Sequence, residues 1–385
     1  MNFFLLSLIK AVVVAIVLLT TLAYLQWVER KVIAHIQVRL GPSRVGPHGL
    51  LQPLADVIKL ITKEDLVPPH ANKFLFLLAP FLAVTMALLS ISVIPFGSEI
   101  AIPGGNTWMQ LTDLNIGILF VLAVSSIGVY GIVLAGWASN NKYSLLGGLR
   151  SSAQMISYEL PLSLAVAAPL LVSNTLSLRE LVLRQQDYYL GFIPKWNVFH
   201  GPMPQIFSFL IFLIAAFAET NRVPFDLPEA ENELVAGFHT EYSSMKFASF
   251  FMAEYANMIT VCSLTTTLFL GGWLPLWPAA LGSNYAPVAV FLAAGAMALY
   301  HGLNPARRMD RLTLPVVAAV FFLLAAIFLA PAGQAVLTPL FWFAAKTGTL
   351  PRFRYDQLMG FAWKSLFPVA VVNLLVTGIL VAAFS

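Results

Sequence analysis

The chain has 385 residues, of which 59% are hydrophobic and only 10% are charged, and its formal net charge at pH 7 is +4. A typical soluble domain carries about 25% charged residues, so this composition excludes an ordinary water-soluble protein. Several nearly uncharged stretches exceed the length of about 18 residues that spans a bilayer. They are continuous rather than alternating, which excludes a β-barrel. We therefore predict an all-α, polytopic transmembrane bundle in which residues 1–385 form one integral membrane domain.

The single cysteine, Cys262, excludes disulfides and a thiolate-bound iron–sulfur cluster within this chain. The six histidines show no metal-ligand spacing, so we predict no metal site and expect these side chains in loops or at interfaces. The basic residues lie in loops between the apolar stretches, which does not indicate a nucleic-acid partner. The acidic residues are therefore the first candidates for chemistry.

Ten stretches are candidate membrane spans, and the first is too long for a signal peptide and lacks a cleavage site. The spans cover residues 3–28, 74–95, 115–138, 153–173, 204–221, 246–272, 286–303, 313–331, 335–350 and 365–384. Loops at one end hold 18 of the 22 Lys and Arg residues, including Lys346. The other end holds Arg179, Arg184 and Lys195, and Lys10 lies within the first span. The positive-inside rule makes the basic end cytoplasmic and places both termini on the opposite side.

The cytoplasmic loop 29–73 contains an amphipathic segment. Leu51, Leu54, Ile58 and Ile61 fall on one face of a helix. About eleven residues are too few to span a bilayer, so we predict a helix that lies in the membrane interface. We expect the prolines at positions 68 and 69 to stop it.

The cytoplasmic loop 222–245 is acidic. Asp226 and Glu229 have the spacing of a capping box, and Glu229 and Glu233 then share one face of a short helix. These acids are candidates for proton transfer. The alternatives are that Asp226 and Glu229 only cap the helix, and that Glu231 and Glu241 are solvated loop acids.

Three carboxylates lie within predicted spans, in the half of the membrane nearer the cytoplasmic loops: Glu159, Glu219 and Glu254. Ionisable groups at such positions are costly and usually face a bundle interior or a water-filled cavity. If their helices are neighbours, the carboxylates converge, and each then disfavours the ionised form of the others. Such groups suit a proton relay or a proton-coupled carrier. The structural alternative is pairing with Arg222, Arg150 or a backbone group.

The loop 346–364 is basic and aromatic. It is either an ordinary positive-inside loop, or a docking face for a soluble partner or part of a headgroup pocket, in which Arg352 and Arg354 would supply charge-assisted bonds.

Several motifs resemble those of one family, the H subunit of bacterial NADH-quinone oxidoreductase (respiratory complex I). The motifs are ETNRVPFDLPEAENELVAGFHTEYSSMKFASFFMAEYANM, QWVERKVIAHIQVRLGPSRVGPHGLLQPLADVIKLITKE, GWASNNKYSLLGGLRSSAQMISYE and PRFRYDQLMGFAWK. Together the resemblance covers roughly residues 3–280 and 335–384, and the motifs occur in the family's order.

The resemblance implies a multi-pass subunit of the cell inner (plasma) membrane that anchors a hydrophilic arm and forms much of the channel by which quinone enters. No cofactor would be bound by this chain, because FMN and the iron–sulfur clusters belong to partner subunits. The implied partners are iron–sulfur quinone-module subunits, small and antiporter-like membrane subunits, and membrane lipid. The implied activity is proton-translocating NADH:quinone oxidoreduction by the whole assembly.

Site residues follow from the motif positions. The resemblance assigns the proton relay to Glu159, Glu219, Asp226, Glu229, Glu231, Glu233, Glu241 and Glu254. It assigns quinone binding at the entrance to Glu29, Arg30, Arg39, Asp56, Lys59 and Arg352.

The chain departs from the family's pattern in two places. Residues 281–334 carry an extra pair of hydrophobic spans, for which we expect a peripheral, lipid-facing position. An arginine commonly lies four residues before the proline of PRFRYD, whereas here Thr347 has that spacing and Lys346 precedes it.

Two other functions are compatible with the sequence. A stand-alone proton-coupled carrier would explain the carboxylates within spans, although not the long cytoplasmic loops. The related membrane subunit of an energy-converting hydrogenase, or of another donor-dependent dehydrogenase, shares the RLGP and ETNR-like segments.

Overall fold

The computed structural model describes residues 3–102, 105–200, 204–221, 235–304, 310–348 and 366–384, and most of these residues are helical. The helices are α1 (Phe3–Ile36), α2 (Gln52–Thr62), α3 (Lys73–Ile91), α4 (Gly117–Ala138), α5 (Lys142–Ser173), α6 (Leu178–Leu183), α7 (Ile206–Glu219), α8 (Ser244–Phe269), α9 (Ala286–Leu303), α10 (Asp310–Leu329), α11 (Pro331–Gly348) and α12 (Phe367–Phe384). Two antiparallel hairpins complete the described part: β1 (Glu99–Ile102) with β2 (Gly105–Trp108), and β3 (Tyr188–Tyr189) with β4 (Ile193–Pro194).

The predicted all-α membrane bundle is confirmed. Within the described ranges, seven segments are long and apolar enough to cross a membrane, and they coincide with α1, α3, α4, α5, α8, α9 and α10 within a residue or a few at each end. The shorter helices α7 and α12 are also apolar. The predicted pair of spans within residues 281–334 forms α9 and α10.

Two adjoining cores hold the bundle together. Tyr158, Phe212 and Phe269 are fully buried where α5, α7 and α8 meet. Phe76 and Phe250 belong to the second core, between α3 and α8. In sequence order, α3 packs on α4, α4 on α5, and α5 on α7, while α8 returns to pack on α3. This arrangement surrounds the inward-facing sides of α4, α5, α7 and α8 with protein rather than lipid.

Helix α1 is longer than the first predicted span, because no glycine or proline occurs before Gly41 to end it. Its 34 residues extend about 51 Å, beyond the roughly 30 Å of a hydrocarbon core. The residues from Glu29 to Ile36, assigned above to the cytoplasmic loop, therefore continue the helix towards α2.

The amphipathic helix α2 is present and its predicted apolar face is exposed. Leu51, Leu54, Ile58 and Ile61 are each about half exposed, which suits a face that meets lipid. Helix α2 ends at Thr62, before the prolines at positions 68 and 69 that were expected to stop it. Lys63 already has extended backbone, because the following residues pair with the start of α8, where the Leu66 amide donates to Ser243 Oγ at 2.9 Å.

The assignment of Lys346 to the basic end of the bundle is wrong. Its ammonium donates to the backbone oxygens of Leu270 and Leu274, at 2.7 and 2.8 Å, just beyond the end of α8. It also lies 4.6 Å from the centre of the Trp196 ring. These partners belong to the end of the bundle that carries Arg179. The C-terminal end of α11 therefore lies at the same end of the bundle. A buried ammonium needs hydrogen-bond acceptors, and the carbonyl oxygens of Leu270 and Leu274 provide them there.

Replacing Lys346 with methionine should destabilise this end of the bundle. The substitution keeps the length of the side chain but leaves two buried carbonyl oxygens without their charged donor, and a hydrogen bond to a charged group contributes about 1.5–3 kcal/mol. We expect a lower thermal inactivation temperature of the purified assembly, and no such change for Lys63→Met, which alters an exposed lysine beside α2. Equal temperatures for the two variants would contradict this role.

Candidate functional site

The last turn of α7 carries Glu219 and is held from the side by α5. Gln154 Nε2 donates to the backbone oxygen of Ala218 at 2.8 Å and to Asn221 Oδ1 at 3.3 Å. Asn221 has a φ of 50°, the left-handed conformation that ends many helices and that asparagine tolerates. In return, Asn221 Nδ2 donates to Ser151 Oγ at 3.3 Å. The segment Glu219–Asn221 is thus fixed at its position by side chains of α5.

Two consecutive serines of α4 join the carboxylates of α5 and α7. Ser125 Oγ donates to Glu219 Oε1, and Ser126 Oγ donates to Glu159 Oε1. The two carboxylates are close enough to repel each other when both are ionised. One turn of α4 therefore presents a hydroxyl to each of two acidic groups on different helices.

Glu219 and Glu254 line one cavity of about 50 Å³ between α7 and α8. We call this space the carboxylate cavity. Thr220, Asn257 and His239 also line it. A smaller cavity of about 20 Å³ adjoins it on the side of α4, where Glu219 and Asn257 appear again together with Ser125. A water needs about 10–15 Å³ and two or more polar partners, so these spaces are large and polar enough to hold a short chain of waters.

The structure thus brings Glu159, Glu219 and Glu254 from three helices into one polar region. Their helices are neighbours, as the sequence argument required. Serine hydroxyls of α4 bind Glu159 and Glu219, and Arg222, one of the alternative partners, lies outside the described residues.

His239 is a member of this region that the sequence argument placed in an ordinary loop. It lies in a 3₁₀ turn, Gly237–His239, which packs directly on the backbone of α5. A Cβ atom on Gly147 would come within 2.8 Å of Gly237 Cα, so only glycine permits this approach. Ser144 Oγ fixes the same turn by donating to the backbone oxygen of Gly237 at 3.2 Å.

The His239 side chain is buried, with 7% of its surface exposed, and its Nδ1 has no hydrogen-bond partner among the described residues. Phenylalanines 238, 247 and 251 surround the ring. Burial lowers the pKa of His239 to about 4, so the imidazole is neutral at physiological pH. Because His239 lines the carboxylate cavity, its neutral imidazole is an acceptor or donor for water held there.

Glu241 lies elsewhere. It accepts a hydrogen bond of 2.7 Å from Asn141 Nδ2, at the turn between α4 and α5, and it does not line the carboxylate cavity. The remaining acidic relay candidates, Asp226, Glu229, Glu231 and Glu233, lie outside the described residues, as does Arg352 of the predicted entrance.

A second polar cluster lies where α1 meets α2. Arg30 Nη1 is 2.8 Å from Asp56 Oδ2, and Gln52 Nε2 donates to Asp56 Oδ1 at 2.9 Å. Glu29 Oε2 accepts a hydrogen bond of 2.7 Å from the hydroxyl of Tyr255 on α8. Three of the predicted entrance residues therefore share one junction of α1, α2 and α8.

Two predicted entrance residues do not join this cluster. Arg39 donates to Gln37 Oε1 at 2.6 Å in the turn after α1, and Lys59 is exposed on α2. No three His, Cys, Asp or Glu side chains of the described residues are arranged to hold a metal ion.

The fold and this site define a polytopic helical membrane protein whose carboxylates gather around an internal cavity. A family model described as NADH dehydrogenase matches residues 9–378. The NADH-quinone oxidoreductase H subunit 1 of Solibacter usitatus is 71% identical, over 99% of this chain and 98% of its own length. The corresponding H subunit 2 proteins of Koribacter versatilis and Geobacter metallireducens are 52% and 45% identical over 99% of this chain, covering 98% and 97% of their own lengths. The chain belongs to the family of NADH-quinone oxidoreductase H subunits, and the resemblance carried by its motifs is confirmed.

Proposed function

We propose that this chain is a membrane subunit of a proton-pumping NADH-quinone oxidoreductase in the cell inner membrane. It forms the channel by which quinone enters, carries a glutamate relay that couples quinone reduction to proton translocation, and anchors the hydrophilic arm. The observation that carries the proposal is the convergence of Glu159, Glu219 and Glu254 around serines and a cavity large enough for water. The names of its relatives support the choice of NADH and quinone over a stand-alone carrier.

The relay begins from the chemistry of the substrate. Reducing a quinone to a quinol takes two electrons and two protons, and the electrons come from FMN and iron–sulfur clusters in partner subunits. The contribution of this chain is to hold and pass protons. A carboxylate in a low-dielectric region releases or takes up a proton when a neighbouring charge changes, and Glu219 lies between Glu159 and the carboxylate cavity.

The loop acids extend this relay towards the quinone. Asp226, Glu229, Glu231, Glu233 and Glu241 stand at motif positions between α7 and α8, so they connect the quinone cavity to the carboxylates within the bundle. For Glu241 the hydrogen bond to Asn141 supports a position at the edge of this path.

The entrance is the junction of α1, α2 and α8. There Glu29, Arg30 and Asp56 give the membrane-facing side of the bundle a polar margin next to the exposed apolar face of α2. A lipid-soluble quinone needs both surfaces, since its tail stays in hydrocarbon while its headgroup moves into a polar site. Arg39, Lys59 and Arg352 are proposed to continue this margin.

A pull-down from native membranes tests the proposal. The chain should be extracted in a mild detergent and its partners identified by mass. We expect iron–sulfur, flavoprotein and antiporter-like subunits of NADH-quinone oxidoreductase. Recovery with a nickel-site subunit would replace the proposed reaction with that of a hydrogenase, and recovery of the chain alone would favour a carrier.

A further inference from the structure

A second, larger cavity lies at the end of the bundle opposite to α2. Its volume is about 530 Å³, within the range of about 300–1,000 Å³ found for ligand pockets. It separates the first half of α1 from the end of α3, the β1–β2 hairpin and the middle of α8. It shares no lining residue with the carboxylate cavity or with the Glu29–Arg30–Asp56 cluster.

The lining of this cavity is apolar except at one end. Val13, Val14 and Val17 of α1 face it, and Ile259 of α8 and Leu340 of α11 lie across from them. The space is partly open to the outside along α1, since Val13 and Val17 are 52% and 58% exposed. An open apolar groove of this size is suited to an apolar group from outside the chain.

The exposure of the α1 side chains indicates the chemistry of that group. Val12 and Ile16, on the face of α1 away from the cavity, are 49% and 60% exposed, while Val13 and Val17, which line it, are 52% and 58% exposed. Both faces of this span are thus apolar and open. The surroundings of a membrane span are hydrocarbon, so an open apolar groove along α1 is suited to a lipid chain.

The polar end of the cavity is built around Lys10, the charged residue of the first span. Its ammonium donates to Thr107 Oγ1 and to the backbone oxygens of Trp108 and Gln110, the latter two at 2.9 and 3.3 Å. These acceptors lie on and just after β2. Lys10 therefore ties the hairpin to α1 and closes the cavity towards the membrane surface.

We propose that this cavity is a binding site for an acyl chain of a membrane phospholipid, held between α1 and the rest of the bundle with Lys10 fixing the closed end. A quinone tail is a poorer occupant. The quinone entrance proposed above lies at the opposite end of α1, near Glu29, which is about 28 Å along the helix from Lys10.

The test uses the intact assembly in membranes supplemented with a phospholipid that carries a photoreactive diazirine on one acyl chain. After illumination, peptides of this chain are analysed for lipid adducts. We expect adducts on the cavity-lining side of α1 and around Ile259. Val13→Trp, which places an indole ring in the cavity, should lower the adduct yield at least severalfold. Val12→Trp is the matched control, because it adds the same ring one residue away on the other face.

The outcomes separate the occupants. Adducts spread evenly around α1, or equal yields in the two tryptophan variants, would overturn the proposal, since they describe ordinary surrounding lipid. Stronger labelling of the same residues by a quinone with a diazirine on its tail would overturn it in favour of the substrate. NADH oxidation by each preparation verifies that the assembly is intact.

Discussion

Replacing Glu219 with glutamine should lower coupled quinone reduction about a hundredfold, the scale at which a positioned acid–base group contributes. Glutamine keeps the shape of the side chain and can still accept from Ser125, but it can neither hold nor release the proton. Glu219 lines both internal cavities described above and interacts with Glu159, so its loss should interrupt the proposed relay. Proton pumping driven by NADH should fall with the same ratio as quinone reduction.

Glu241→Gln is the matched control for this variant. It removes a carboxylate of the same region, but one that is bound to Asn141 and does not line the carboxylate cavity. We expect a smaller loss of coupled activity than in Glu219→Gln, because Glu241 lies at the edge of the proposed path. NADH oxidation with an artificial electron acceptor should remain normal in both variants, because that reaction needs no proton path through this chain. Equal loss in the two glutamine variants would rule out the ranking.

His239→Phe should reduce coupled activity by about tenfold or more, because it replaces the polar ring of a residue that lines the carboxylate cavity with an apolar ring of similar volume. His239→Gln retains a hydrogen-bonding group there and should keep a larger share of the activity. His200→Gln is the control, since His200 is a second histidine whose buried Nδ1 has no hydrogen-bond partner in the described part of the chain, at the opposite end of the bundle. A loss as large in His239→Gln as in His239→Phe would contradict a role in binding water.

The stability of the assembly should also depend on His239 between pH 6.5 and pH 4. The unfolded chain binds a proton near pH 6.5, whereas burial keeps the folded imidazole neutral until about pH 4 because it lowers the pKa. The contribution of the neutral His239 to the free energy of unfolding is therefore fully present above pH 6.5. It is lost as the pH decreases through this window, by about 3 kcal/mol in total. We expect the thermal inactivation temperature of His239→Gln to vary less across this window than that of the wild type. Parallel curves would show that other groups dominate.

The helices were predictable from the sequence because a helix that crosses a membrane must be a long apolar stretch, and such stretches are visible in the sequence. Uncharged stretches of sufficient length leave few alternatives to a helix in lipid, and α2 followed from the spacing of Leu51, Leu54, Ile58 and Ile61. The carboxylates within spans were also recognisable, because a charged group there is costly and is therefore rarely present without a function.

What the sequence could not supply was long-range contact. Nothing in the order of residues says that Ser125 and Ser126 reach Glu219 and Glu159, which lie 94 and 33 positions away. His239 carries no local signal beyond its aromatic neighbours, because its burial depends on the approach of Gly147. Lys346 was misplaced for the same reason. A lysine in a loop and a lysine buried against carbonyl oxygens look alike until the segment that supplies those oxygens is known.

The contact between Gly147 and the turn at Gly237 has a consequence for genetic screening. A random mutagenesis that scores respiratory growth would recover substitutions at Gly147 alongside those at the acidic residues, because any side chain there pushes the His239 turn off α5. Such a variant would lose coupling although no proton passes through position 147. Loss-of-function positions around this site therefore mark two kinds of residue: those proposed to exchange protons and those that keep two backbones within a few ångströms. Only a measurement of proton uptake as a function of pH distinguishes the two kinds.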